Sequence, residues 1–423
     1  FALCAVVSIM GGFGADLKRK ILGNNAHMKI EAGAHGGFEG VDDLLTDLRL
    51  LKGVKAATPV TAGEAMASSS SNTAGTIVRG IETTSIGSVI DLVQNIEVGK
   101  FEYLDEPAKL ADLPADEVIG ISTGGEIFLK GPRVKSWLKR DLDDDVSAAT
   151  EPVYPGIVVG RELAKTLHVY VGDEVTLVAP LGDLGPMGVL PPSRKFRVAA
   201  VFYSGMYEYD SSHLYMKRDD AQEFLDLRGK TTAVEVKLDD AELVGAVRPE
   251  LEALVKRHAT ALAREDMKIR DWKELNKNLF SALKLEKIAT FIILSIAIAV
   301  ASFCIICTLL LMVTEKSKEI AIMKALGASD RAILRIFMAE GVIIGGIGTV
   351  FGVVTGLCTV LGLLWFGVRL DPDVYYVDRL PISVDPVDYT LVALSAMIIT
   401  TIATIYPAIA ASRLRPVDGI RYE

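Results

Sequence analysis

The sequence predicts an α-helical membrane domain of four transmembrane helices, with a large α/β domain inserted between the first and second. Three observations predict it. Half of the 423 residues are hydrophobic, and the mean hydropathy is +0.34. The apolar residues are concentrated, because residues 288–313, 341–368 and 389–412 carry no charge at all. Each of these runs exceeds the roughly 20 residues that a helix needs to cross ~30 Å of hydrocarbon. The long segment before them is mixed in composition and large enough to bury a core of its own.

Residues 1–15 are uncharged and run into the helix-like DLKRKILG. Such a start suits a soluble N-terminus or a signal-peptide remnant. The preferred expectation is the end of a first transmembrane helix over residues 1–22, with its N-terminal part missing. Residues 23–280 form the outer domain. Within it, VDDLLTDLRLLKGVKAATPV reads as a helix closed near Gly53 and then a strand, and TTAVEVKLDDAELVGAVRPELEALVKRHA as a strand and an amphipathic helix. Alternation of this kind predicts one α/β lobe built from both ends of the segment. Between them EVIGIS, EVTLVAP and RKFRVAAVFYS are β-type runs with Gly and Pro punctuation. They predict an inserted β-rich lobe over about residues 105–215, in which RDLDDDVSAATEP reads as a loop. Residues 180–192, PLGDLGPMGVLPP, join two strands and are too long for a tight hairpin. Four prolines stiffen them. This apolar loop either folds onto its own sheet or projects as a rigid prong that docks a partner.

The second helix is expected at 281–314, the third at 331–368 and the fourth at 389–412. Residues 315–330 and 413–423 lie at one side, and the loop 369–388 at the other. Lys316, Lys318, Lys324, Arg331 and Arg335 follow the second span, and Arg413, Arg415 and Arg421 the fourth. The loop carries Asp371, Asp373, Asp378, Asp385 and Asp388 against two arginines. Basic residues collect on the cytoplasmic side, so the loop and the outer domain face outward. The net charge of −9 says little about nucleic acid, since the basic residues are used for topology, and no nucleic-acid partner is expected.

Cys4, Cys304, Cys307 and Cys358 all fall in apolar runs and the outer segment has none. Cys304 and Cys307 spell C-x-x-C inside a lipid-length helix, where packing is a plainer role than redox chemistry. Gly120, Ser122 and Gly124 match G-x-S-x-G, but GEIFLKGP follows where a nucleophile elbow needs a helix. Gly229-Lys230-Thr231 resembles the end of a phosphate loop whose first glycine is replaced by Phe224. The five histidines show no metal-ligand spacing. Gly348, Gly352 and Gly356 recur every four residues on one face of the third span, which suits close helix packing.

The stretch EKSKEIAIMKALGASDRAILRIF between the second and third spans mixes apolar and charged residues all round the helix. A helix resting on lipid segregates its faces. This one suits a short elbow plugged into a protein groove, closed by Gly327 and followed by a cap at Ser329 or Asp330. A tight connection that binds nothing is the plainer alternative.

EKSKEIAIMKALGAS, the Gly-rich span and the terminal YPAIAASRLRPVDGIRYE together resemble the FtsX/MacB-type ABC permeases. SIMGGFGADLKRKILGNNAHMKI and GPMGVLPPSRKFRVAAVF narrow the resemblance to the lipoprotein-releasing permeases, the LolC/LolE group, over nearly the whole chain. The resemblance implies a non-catalytic permease subunit of the bacterial inner membrane whose periplasmic domain has Porter-like and Sabre-like lobes. It implies no cofactor of its own, with ATP and Mg bound by a separate LolD-like ABC ATPase. Glu315, Lys316, Lys318, Glu319, Ile320, Met323, Lys324, Leu326 and Gly327 would form the coupling helix seated in that ATPase. Leu184, Pro186, Met187, Leu190, Pro191 and Pro192 would form the hook for a LolA-like periplasmic carrier. Met10, Phe13, Phe303 and Ile306 would line the cavity for the lipoprotein's acyl chains. A second permease chain would complete the complex. The hook is LolC-like while DPDVYYVDRLP looks more like LolE, so the partner is the same chain or a sister. At ~0.8 kcal/mol per buried CH₂, exposing several acyl chains to water costs tens of kcal/mol, so the chains must pass between apolar surfaces. Three rivals stand beside this reading: an FtsX-like regulatory permease, a MacB-like efflux permease, and a membrane-anchored hydrolase using Ser122.

Overall fold

The computed structural model describes residues 1–33, 36–111, 113, 117–121, 127–129, 153–180, 183–185, 188–259, 267–368, 370 and 379–414. The chain divides into two compact units, Lys18–Lys277 and the combination of Phe1–Leu17 with Asn278–Glu423.

The first unit is built on a sheet. Its strands are β1 (Met28–Glu31), β2 (Val54–Ser68), β3 (Thr73–Ile81), β4 (Ile96–Gly99), β5 (Val118–Ile121), β6 (Ile127–Leu129), β7 (Gly156–Gly160), β8 (Glu174–Val178), β9 (Asp183–Gly185), β10 (Gly188–Leu190), β11 (Ser193–Phe202), β12 (His213–Lys217), β13 (Ala233–Leu238) and β14 (Lys268–Asp271). Ten of them form one sheet in the order β14-β1-β13-β2-β3-β12-β7-β11-β4, with β8 paired to both β11 and β2. All of β7 and the last seven residues of β11 are buried. Continuous apolar runs of this kind mark strands covered on both faces. The expected helix and strand around Gly53 are found as α2 (Asp42–Leu50) and β2, with Gly53 at φ +89° in the turn between them.

The expected inserted lobe does not interrupt this sheet. β12 pairs with β3 in parallel, and β7 pairs with β12. The ladder therefore runs from the terminal strands straight into the inserted ones. Val78 and Ile81 of β3 share a buried cluster with Ile157, Val198 and Leu214. The acid tract expected as a loop lies outside the described residues.

The 180–192 segment was expected to be too long for a tight hairpin, and this is corrected. β8 and β11 pair as far as Val178 opposite Ser193, and the Pro192 carbonyl accepts from the Ala179 N–H at 3.0 Å. Beyond that point β9 and β10 pair antiparallel, with Gly185 opposite Gly188. The segment is itself a second, shorter hairpin on the end of the first.

Among the described residues, three helices are long and apolar enough to cross a membrane: α7 (Lys277–Glu315), α9 (Asp330–Phe366) and α10 (Pro386–Ser412). Also helical are α1 (Ala2–Asn24), α2, α3 (Arg161–Leu167), α4 (Tyr207–Ser212), α5 (Arg218–Phe224), α6 (Val244–Ala259) and α8 (Ser317–Ala325). The first helix, expected as a fourth crossing, is not among the three. Asp16, Lys18, Arg19 and Lys20 occupy its second half.

The outer end of α1 is instead part of the sheet unit. Ile21 is fully buried. The Leu22 carbonyl accepts from Lys237 Nζ at 2.7 Å and the Gly23 carbonyl from the Asp91 N–H at 2.9 Å. Asn24 Nδ2 donates to the Ser204 carbonyl at 3.1 Å and Asn25 Nδ2 to the Tyr209 hydroxyl at 2.7 Å. The carbonyls that a helix end leaves orphaned are thus satisfied by protein rather than water.

Candidate functional site

Two features of the helical unit bear on function, a seated elbow and an apolar cavity. The elbow, α8, is separated from α7 by Lys316 alone. It ends at Gly327, whose φ of +100° only glycine adopts readily. The Gly327 N–H donates to the Lys324 carbonyl and the Ala328 N–H to that of Met323, both at 3.0 Å. These two bonds make the Schellman closure. Ser329 then caps α9 by accepting from the Ala332 N–H at 3.3 Å.

The charges looked evenly scattered in sequence, but the folded elbow has two sides. Ile320 and Ala321 are buried. Ile320 packs with Val313, Ile333, Phe337, Ala408 and Ala411, with Met323 at the edge of the cluster. Lys324 also turns inward. Its Nζ donates to the Ser412 carbonyl at 2.5 Å and to the Leu414 carbonyl at 2.9 Å, and it pairs with Asp330 at 2.8 Å. The cation closes the C-terminal end of α10, where the helix dipole favours it. Of the nine residues expected to couple to an ATPase, Ile320, Met323 and Lys324 therefore serve the chain's own packing. Glu315, Lys316, Lys318, Glu319, Leu326 and Gly327 are exposed. They form the outer side with Ile322, which is 47% exposed, while Leu326 is 84% exposed. Sequence reasoning did not single out Ile322.

Glycines set the helix packing. A Cβ on Gly341 or Gly345 would run into the side chains of Thr404 and Thr400 respectively. The four-residue spacing on both helices, in opposite sense, makes α9 and α10 an antiparallel pair at small-residue contact. On the same stripe, a Cβ on Gly356 would lie 2.9 Å from the Cys4 Cβ, and one on Gly352 3.4 Å from the Phe1 nitrogen. Gly348, between the contacts of Gly345 and Gly352, meets nothing within 4 Å. Of the three glycines expected to pack, two therefore face α1, and the tighter seam is Gly341 and Gly345, whose identical spacing in the sequence was the available signal. Farther along α1, the Ser8 hydroxyl and the Tyr389 hydroxyl are 2.9 Å apart. Gly12 admits the backbone of Pro381 so closely that any side chain would collide.

Gly348 opens onto a cavity of about 540 Å³. It is lined by Cys4 of α1, Ile298, Ile305 and Met312 of α7, Gly345 of α9 and Ala396 of α10, among others. The residues expected to line a lipid cavity, Met10, Phe13, Phe303 and Ile306, do not line this one. On α7 the lining positions 298, 305 and 312 repeat every seven residues and share a face. Phe303 falls about half a turn away and Ile306 about a third.

In the sheet unit, the hook residues Leu184 and Leu190 lie in β9 and β10. Pro191 and Pro192 are exposed at the base, and Pro186 and Met187 lie outside the described residues. Ser122 also lies outside them. His168 Nδ1 is 2.9 Å from Asn72 Nδ2, and His213 stacks on Tyr209 at 4.7 Å. Burial, and then the charge of Arg79, hold His213 down to about 3. Among the described residues no His/Cys/Asp/Glu grouping could hold a metal ion.

Lipid-length helices and a large sheet unit inserted in the chain between α1 and α7 are the organisation of a membrane protein. The FtsX-like permease C-terminal model matches residues 291–416. The chain belongs to the LolC/LolE family of lipoprotein-releasing system transmembrane proteins. It is 30% identical to LolC from Neisseria meningitidis serogroup B over 440 residues, covering 100% of this chain and 91% of that one. It is 32% identical to LolC from Xylella fastidiosa over 70% of this chain and 76% of that one. The periplasmic region of MacB from Actinobacillus actinomycetemcomitans is similar over 62% of this chain and 94% of that one, at 14% identity and a TM-score of 0.31.

Proposed function

We propose that this chain is the permease subunit of an ATP-driven complex that takes lipoproteins from the outer leaflet of the bacterial inner membrane and passes them to a periplasmic carrier. The observation that carries the reading is the match to LolC along the whole chain, sheet unit and helices alike. An FtsX-like regulatory role would call on the residues 291–416 match alone. In this reading α1 completes a fourth crossing. The open side of α8, with Leu326 and Ile322 among charges, seats in a separate ATPase that binds ATP and Mg, and the permease carries no catalytic residue. A second permease chain, the same or a sister, completes the membrane part. The β9–β10 hairpin supplies backbone edges and the exposed Pro191 and Pro192 for the carrier.

The test is a pull-down of the detergent-solubilised complex. ATPase and soluble carrier should both co-purify with the wild-type chain. Deletion of residues 186–192 or Met187→Asp should release the carrier while the ATPase stays. A carrier that remains bound to both variants overturns the hook, and the absence of any ATPase overturns the permease reading.

A further inference from the structure

The helix α7 is longer than a bilayer needs, and its excess carries charge of the wrong sign for its side. Its 39 residues span about 58 Å at 1.5 Å per residue, against ~30 Å of hydrocarbon. The uncharged stretch is residues 288–313, so the surplus lies at the end joined to the sheet unit. That surplus reads KNLFSALKLEK and holds Lys277, Lys284 and Lys287 against Glu286. Basic residues normally concentrate at the opposite, cytoplasmic ends of spans, so topology does not account for these three.

Their placement does suggest a role. At helical spacing Lys277, Phe280, Lys284 and Lys287 fall on one face, with Glu286 well round the helix from it. The lysines and Glu286 are exposed. No hydrogen bond or ion pair is recorded for any of the three lysines among the described residues. Lys273, one turn earlier in the chain, differs: it is 3.5 Å from Glu242 and stacks over Trp272 at 5.1 Å. Height separates the three lysines. With residues 288–313 centred in the hydrocarbon, Lys287 stands about 5 Å above its edge and Lys284 one turn higher. A lysine side chain extends or snorkels over such a distance while its stem covers apolar surface. Lys277 lies about two further turns up, beyond the headgroup layer. At the outer end of α9, Trp365 and Phe366 are almost fully exposed, as aromatic residues at a membrane boundary are.

We infer that Lys284 and Lys287 form a binding face for the phosphate of anionic phospholipids in the leaflet on the side of the sheet unit. Two ammonium groups a turn apart, without a partner among the described residues and backed by a lipid-length apolar helix, complement a phosphodiester whose acyl chains lie along residues 288 onward. The inference requires only that α7 spans the bilayer and does not rest on lipoprotein release.

Native mass spectrometry of the full chain in detergent, supplied with equal amounts of phosphatidylglycerol and phosphatidylcholine of identical acyl chains, tests it. The wild type should retain phosphatidylglycerol preferentially. The variant Lys284→Gln with Lys287→Gln should lose about thirtyfold in that preference, since each lysine near an anionic surface accounts for roughly five- to sixfold. The paired arginine variant should keep it, and Lys277→Gln should be indistinguishable from wild type. Unchanged thermal unfolding of the glutamine variant separates loss of lipid from loss of fold. Equal retention of the two lipids by the wild type overturns the inference. So does a glutamine variant that still prefers phosphatidylglycerol, or a loss produced equally by Lys277→Gln.

Discussion

Lys324→Met should loosen the elbow without touching any partner. Lys324 Nζ reaches two carbonyls at the end of α10, Ser412 at 2.5 Å and Leu414 at 2.9 Å. Its side chain is only 10% exposed, while that of its third partner Asp330 is 72% exposed. The Asp330 leg therefore contributes little. Each charge-assisted bond to a carbonyl is worth about 1.5–3 kcal/mol, and methionine keeps the aliphatic stem. Water will rehydrate part of what is lost, which leaves a net cost of about 2–3 kcal/mol, or roughly 30- to 150-fold in the opening equilibrium. Hydrogen exchange of the full chain in nanodiscs reads this directly. The Ile320 amide, which donates to the Lys316 carbonyl at 3.0 Å, should exchange faster by about that factor. Leu326→Asp, on the open side, should leave exchange unchanged and abolish ATPase co-purification. If Lys324→Met removes the ATPase while exchange at residues 317–328 stays at the wild-type rate, the lysine faces the partner and the inward assignment fails.

Two further predictions follow from packing and titration. Gly345→Leu should destabilise the helical unit by about 1–3 kcal/mol through overpacking against Thr400. Gly346→Ala, where an added Cβ meets nothing within 4 Å, should be neutral or slightly stabilising; equal melting temperatures for the two variants would refute the seam. The sheet unit should be acid-labile. Burial, then Lys237, holds His27 down to about 4, and His213 lies lower still. Stability from both is complete above the ordinary 6.5 and is lost as pH falls through about 4 for His27 and about 3 for His213. Asp210 acts oppositely. Burial raises it to about 6 against hydrogen bonds from Ser204, so its contribution is present below 3.8 and lost as pH rises through about 6. At 1.36 kcal/mol per pKa unit, Asp210→Asn should stabilise the unit by up to about 3 kcal/mol at pH 7.5 and by nothing near pH 3.5. Chemical denaturation at the two pH values, followed by exchange in residues 18–277, checks the sign.

The chain's own sequence determined the three lipid-length helices, the Gly327 stop, a cap at Ser329 or Asp330 and the strands at EVTLVAP and RKFRVAAVF. Each of these is local: a run of uncharged residues, a positive-φ glycine or a β-type stretch is written in consecutive letters. Tertiary structure decided the rest. Lys324 reads as one more surface charge until α10 brings the Ser412 and Leu414 carbonyls to it from about ninety residues away. The Gly341, Gly345, Gly352 and Gly356 stripe is visible as spacing, but only the fold assigns its first half to α10 and its second to α1. The end of α1, residues 18–22, was expected to belong to the first span, whereas the burial of Ile21 and the bond from Lys237 to the Leu22 carbonyl make it part of the sheet unit. The two lobes expected from alternation are joined because β12 pairs with β3, a choice of neighbour that periodicity cannot encode. Local propensity fixes which backbone a stretch prefers, while the partner of a buried polar group is settled only when distant segments must satisfy one another's hydrogen bonds away from water.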